Sequence, residues 1–164
     1  MKIKMFFVLV LILFLTTPVG ADNTIPPHRI IPITGNGLVS VTKNIENILS
    51  MQNGNEVTIP SMNIANVKAN VVSETLKTLP ASLPNDVTKF VDAVSITIVM
   101  SNRSIDKLPK NKSMVVSFAK DDIALDTFYS IAILYWNGST WAEVETNSLQ
   151  TITTVPGVYV LILK

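Results

Sequence analysis

The chain has 164 residues, with 13 basic and 12 acidic side chains, one histidine and no cysteine, and a net charge of +1. Without cysteine it has no disulfide, no thiolate nucleophile and no cysteine metal ligand. The charges are balanced and fall singly or in short clusters such as Lys107, Lys110 and Lys112. No nucleic-acid partner is predicted, because those surfaces carry an extended basic patch.

Lys2 and Lys4 open the chain, and Met5 to Leu15 form an unbroken apolar run. Thr16-Thr17-Pro18 breaks that run, and Val19-Gly20-Ala21 supplies small residues suited to a signal peptidase. This layout predicts a signal peptide over residues 1–21, cleaved after Ala21, and a secreted or extracellular, envelope-associated destination. The run is shorter than the roughly 20 apolar residues of a spanning helix. Retention as an amino-terminal anchor is the alternative. Removing 21 of the 164 residues would leave 143, enough for one domain, and losing two lysines would turn the net charge from +1 to −1. A domain of that size buries roughly two-thirds of its unfolded surface and needs no covalent staples.

Beyond the signal, residues 22–29 form a Pro-containing lead-in with Ile25-Pro26-Pro27-His28, and 30–164 are expected to form one domain. Its apolar runs are short, β-branched and punctuated by Pro, Gly and Asn. Strands are predicted at Ile30 to Thr34, Leu38 to Thr42, Glu56 to Ile59 and over much of Asn63 to Val72. Helical spacing of Ile45, Ile48 and Leu49 predicts a helix within Lys43 to Met51, and Glu74 to Leu79 could add one turn. The Leu79-Pro80 and Leu83-Pro84 steps impose extended or turn backbone. Further strands follow around Val94, Ile96 and Ile98, then at Met114 to Phe118, Ile131 to Trp136, Thr140 to Glu145, Leu149 to Thr154 and Val158 to Leu163. Many short strands at this spacing predict an all-β fold, an antiparallel β-sandwich.

Asn137-Gly138 marks a hairpin, since both residues tolerate positive φ. An even-length loop puts Ile131, Ile133 and Tyr135 on one face with Ala142 and Val144, all apolar and suited to the core. Leu134, Trp136, Trp141, Glu143 and Glu145 then share the other face. A three-residue loop would set Glu143 beside Ile133, so the apolar pattern selects the even loop. Val116 and Phe118 are further core candidates.

Few residues suggest chemistry. His28 has no acidic or nucleophilic neighbour in sequence, which argues for a surface histidine over a triad or metal site. Asp121, Asp122 and Asp126 could offer oxygen ligands to calcium but lack the spacing and glycine of a calcium loop. Glu143 and Glu145 share one strand face, whereas catalytic carboxylate pairs usually face each other across a cleft. No metal or other cofactor is predicted. Trp136 and Trp141, on one hairpin face, are the candidate binding surface for a sugar ring or peptide; packing beneath another segment is the alternative. Asn102-Arg103-Ser104, Asn111-Lys112-Ser113 and Asn137-Gly138-Ser139 also match the glycosylation sequon.

Leu108-Pro109, the strand Ser113 to Phe118, the hairpin Ala132-Ile133-Leu134-Tyr135-Trp136-Asn137-Gly138-Ser139-Thr140-Trp141-Ala142-Glu143-Val144 and the closing Gly157 to Leu161 together resemble a small secreted bacterial β-sandwich module. Ile31 to Gly35 and Thr78 to Pro84 are similar to segments preceding that hairpin. The hairpin and last strand are also distantly similar to the spectrin-binding sandwich of ankyrins and the autoproteolysis-inducing fold of adhesion receptors. Self-cleaving members carry a His-x-Ser/Thr motif before the last strand, but Thr153 to Val158 contains no histidine. The resemblance therefore implies an exported sandwich without self-cleavage.

The expected role is a non-catalytic interaction module that binds an envelope or extracellular protein or a glycan, with no membrane span once the signal is removed. The alternatives are an exported hydrolase using these carboxylates or a bound metal, and a structural subunit of a surface assembly.

Overall fold

The computed structural model describes residues 27–119 and 129–164. Its strands are β1 (His28–Ile33), β2 (Val39–Ser40), β3 (Glu46–Met51), β4 (Glu56–Ile59), β5 (Val67–Glu74) and β6 (Lys89–Met100), then β7 (Arg103–Ser104), β8 (Met114–Ser117), β9 (Ile131–Trp136), β10 (Trp141–Val144), β11 (Gln150–Thr153) and β12 (Val158–Leu163). One sheet has the order β1-β3-β4-β8-β11; the other runs β10-β9-β12-β6-β5-β2, with β7 also paired to β6. The two sheets pack face to face as an all-β sandwich. β1 and β3 are parallel because the chain crosses to β2 of the other sheet between them.

Helix is absent among the described residues, which corrects two expectations. Residues 46–51 form β3, with Asn47, Leu49 and Met51 buried in strict alternation. The helical spacing of Ile45, Ile48 and Leu49 is overridden because β1 and β4 flank this segment and satisfy its backbone on both sides. The fully buried Asn47 fits because its side chain accepts from the Thr42 N–H and donates to the Thr42 and Ile45 carbonyls, at 2.9–3.0 Å. The second expected turn of helix fails as well. Glu74 closes β5, and the chain reverses in a turn where the Thr78 N–H reaches the Thr75 carbonyl at 2.9 Å.

The hairpin has the even register. Trp141 lies opposite Trp136, Ala142 opposite Tyr135 and Val144 opposite Ile133. Ile131, Ile133, Tyr135 and Val144 face the core between the sheets, with Val116 and Phe118 contributed from β8 and the residue after it. The opposite face of β9 is covered too. Ala132, Leu134, Val160 and Ile162 pack beneath Leu79, Leu83, Val87 and Phe90, so the Leu-Pro segment lies over the outside of this sheet. β12 is buried on both faces, which explains its unbroken apolar run.

The chain passes from one sheet to the other between β11 and β12. The buried Tyr159 hydroxyl donates to the Val155 carbonyl and lies 2.8 Å from the Thr153 hydroxyl. A tyrosine tied to backbone a few residues upstream is the tyrosine corner of two-sheet folds. Gly157, at φ +152°, permits close approach: a Cβ there would lie 2.7 Å from the Tyr135 ring.

Strand directions sort the loops into two ends. The upper end holds residues 41–45, 60–66, 101–102, 105–113, 137–140 and 154–157; the lower holds 34–38, 52–55, 75–88, 145–149 and Lys164.

Candidate functional site

The tryptophans sit directly opposite each other on β9 and β10, with ring centroids 5.2 Å apart and planes inclined at 58°. Their surroundings differ. The Trp141 ring packs beneath the Leu-Pro segment, and its indole N–H donates to the Ser82 carbonyl at 3.0 Å. Trp136 is half-buried and borders a notch at the upper end.

That notch follows from the strand order. β12 starts only at Val158, which pairs with Ser95, whereas β9 runs to Trp136 and β6 to Met100. A gap therefore opens between β9 and β6 above the start of β12, and β7 closes part of it by folding back on β6. The resulting cavity of about 470 Å³ is lined by Tyr135 and Trp136 on one side and Ser104 and Asp106 on the other, with Pro156-Gly157 between them. Burial first, and the Asp106 carboxylate second, push the Tyr135 phenol above its ordinary pKa and keep it a neutral hydrogen-bonding group.

A second depression, of about 450 Å³, begins where the notch ends. Lys107 and Thr154 line it, and their neighbours Asp106 and Val155 line the notch. Its rim carries Lys107, Lys110 and Lys112. The turn that bears these lysines is pinned from below. Leu108 is buried in the core and its N–H donates to the Thr154 carbonyl at 2.7 Å, while the Lys112 N–H reaches the Pro109 carbonyl at 3.1 Å. Asn111 takes the positive φ (62°) of the turn, a conformation that asparagine tolerates. Aromatic residues, a carboxylate, hydroxyls and three ammonium groups thus line two neighbouring depressions of the upper end.

Charge is unevenly divided between the two ends. Among the described residues, the upper end gathers Arg103, Lys107, Lys110 and Lys112, joined by Arg29, Lys43 and Lys68, against two carboxylates, Glu46 and Asp106. Among the described residues of the lower half, Glu56, Glu74, Asp86, Asp92, Glu143 and Glu145 outnumber Lys77, Lys89 and Lys164. Both ion pairs among the described residues lie at the lower end, where Lys164 Nζ reaches Asp86 at 2.9 Å and Glu143 at 2.7 Å. The upper cations are left facing solvent without a carboxylate partner among the described residues.

The other candidates do not converge. His28 is exposed at the start of β1. Glu143 is occupied by Lys164, and Glu145 is exposed beyond β10. Asp121, Asp122 and Asp126 lie outside the described residues. No group of three or more histidine, aspartate or glutamate side chains is placed to hold a metal among the described residues. Likewise, no helix among them is long and apolar enough to cross a membrane. Sequence reasoning found Trp136 and noted the three lysines, but missed that they lie at the same end of the sandwich. The turn anchored by Leu108 links them, and a buried leucine before proline gives no hint of its neighbour Thr154. No family model, curated protein or solved structure matches this chain.

Proposed function

We propose that the chain is an exported, non-catalytic interaction module of the extracellular space or cell envelope, which binds a protein or glycan surface. The observation that carries this reading is the notch beside Trp136. It is lined by the half-buried Trp136, by Tyr135, by the Asp106 carboxylate and by two hydroxyl-bearing residues, Ser104 and Thr97. Such a lining combines an apolar platform with a few directed polar groups, as small-ligand and saccharide sites require. The amino-terminal signal pattern and the resemblance to secreted sandwich modules support the destination.

The test combines tryptophan fluorescence with iodide quenching and a screen of glycans and envelope proteins. Trp141 should resist quenching and Trp136 should be reached by it. A ligand should protect Trp136, and Trp136→Ala should abolish its binding while circular dichroism stays unchanged. Turnover of a substrate that persists through purification and vanishes on substituting Glu143 or Glu145 would instead make the protein a hydrolase. Concentration-dependent assembly into large species would make it a structural subunit.

A further inference from the structure

We infer that the ligand of the upper groove is an acidic glycan, with a sugar ring against Trp136 and its anionic groups against the lysine-bearing turn. This rests on the proposed binding role and names the chemistry of its partner.

Three observations converge. The notch and the lysine-rimmed depression lie side by side at the upper end, lined by chain neighbours at Asp106-Lys107 and Thr154-Val155. A polymer lying across this end could therefore reach both Trp136 and the ammonium groups. The upper cations have no carboxylate partners among the described residues, while both ion pairs lie at the lower end. A polyanion gains from such a field through release of its own counterions, and the gain falls with salt. Finally, three loop tips of this end are Ser101-Asn102, Lys110-Asn111-Lys112 and Asn137-Gly138-Ser139-Thr140. These three tips carry no apolar side chain and offer hydrogen-bonding groups suited to sugar hydroxyls and carboxylates. The concave groove and polar tips favour a chain-like polyanion over a flat bilayer.

The experiment uses the chain beginning at Asp22, since all twelve strands and both apolar clusters lie beyond that point. Affinity electrophoresis is run in gels containing polygalacturonate, neutral dextran or polyphosphate, with vesicles of phosphatidylglycerol and phosphatidylcholine as a separate arm. Retardation by polygalacturonate alone is expected, weakened about tenfold by the Lys107→Glu/Lys110→Glu pair and lost at about 0.5 M salt. Trp136→Ala should weaken it as well, and Glu145→Gln at the lower end should not. The lysine variants alter exposed side chains, so they keep the test decisive if Trp136→Ala misfolds. Retardation by dextran as strong as by polygalacturonate would overturn the acidic chemistry while leaving the glycan-binding role intact. Equal retardation by polyphosphate, unaffected by Trp136→Ala, would reduce the end to a charge-only surface and overturn the inference. Binding to vesicles alone would overturn it in favour of a membrane. No binding in any arm, with binding to an envelope protein, would overturn it and leave the broader reading standing.

Discussion

Asn55 and Asp92 join the two sheets at the lower end: the Asn55 Nδ2 donates to Asp92 Oδ2 at 2.8 Å, from the β3–β4 turn of one sheet to β6 of the other. Asn55 is fully buried, and its Oδ1 accepts the Ala119 N–H at 2.9 Å. Asn53 donates to the same carboxylate oxygen at 3.0 Å, and Asp92 Oδ1 receives the Ala93 N–H at 2.7 Å. Every polar atom of the link has a partner, as a buried position demands.

Asn55→Ala therefore removes a donor and an acceptor at once and leaves the Ala119 N–H and one carboxylate contact unmet. The expected loss is about 1–3 kcal/mol in urea unfolding. Asn55→Asp should cost more than the alanine, because it places a second carboxylate against Asp92. Equal stability of all three proteins would show that the link contributes nothing.

Tyr159→Phe keeps the ring in the core and deletes only the hydroxyl that reaches Val155 and Thr153. A loss of about 1–3 kcal/mol is expected, with the fold retained. Burial, the largest cause, pushes the Tyr159 phenol well above its ordinary value of 10. Because the unfolded chain ionises first, stability is full below pH 10 and declines as pH rises beyond it. Alkaline denaturation should show this decline in the wild type and a shallower one in the variant.

Gly157→Ala should destabilise by about 1–3 kcal/mol through steric conflict and backbone strain. The new methyl would lie 2.7 Å from the Tyr135 ring, at a φ of +152° that side chains rarely adopt. Tyr135→Leu in the same chain should relieve part of the loss, a coupling that a double-mutant cycle measures directly.

The Lys164 cluster should be visible only at the extremes of pH. The hydrogen bond from Lys164 holds the Asp86 carboxyl below its ordinary 3.8, so its contribution is complete above that value and is lost as pH falls through the lower folded value. Glu143 first, and Asp86 second, hold Lys164 above its ordinary 10.5, so the ammonium contributes below that value and ceases to as pH rises through the higher folded one. Stability should be flat between the two. The carboxylates are 61% and 55% exposed, so Lys164→Met should have a small effect that vanishes in high salt.

The second half of the chain was the more legible. Asn137-Gly138 and the alternation around it specified the hairpin register, because a shift by one residue would bury Glu143. β3 was not legible, since Ile45, Ile48 and Leu49 fit a helix as well as a strand and only the flanking β1 and β4 decide between them. The two-residue β2 and β7 are too short to leave a periodic trace. At the candidate site, Trp136 was legible as an aromatic near a turn. The division of charge was not: Arg29, Lys43, Lys68 and Arg103 stand far apart in sequence, and strand direction alone brings them to one end.

β12 sits in the middle of its sheet, between β9 and β6, yet it follows both of them in sequence. Without it, the β9–β10 hairpin has no ladder to β6, and the outer apolar cluster loses Val160 and Ile162. This sheet can therefore close only when β12 inserts between two strands that precede it in the chain. Distant pairings of this kind make folding slow. Docking of this one strand is thus the step that locks the hairpin and the β6 side of the sheet into a single layer.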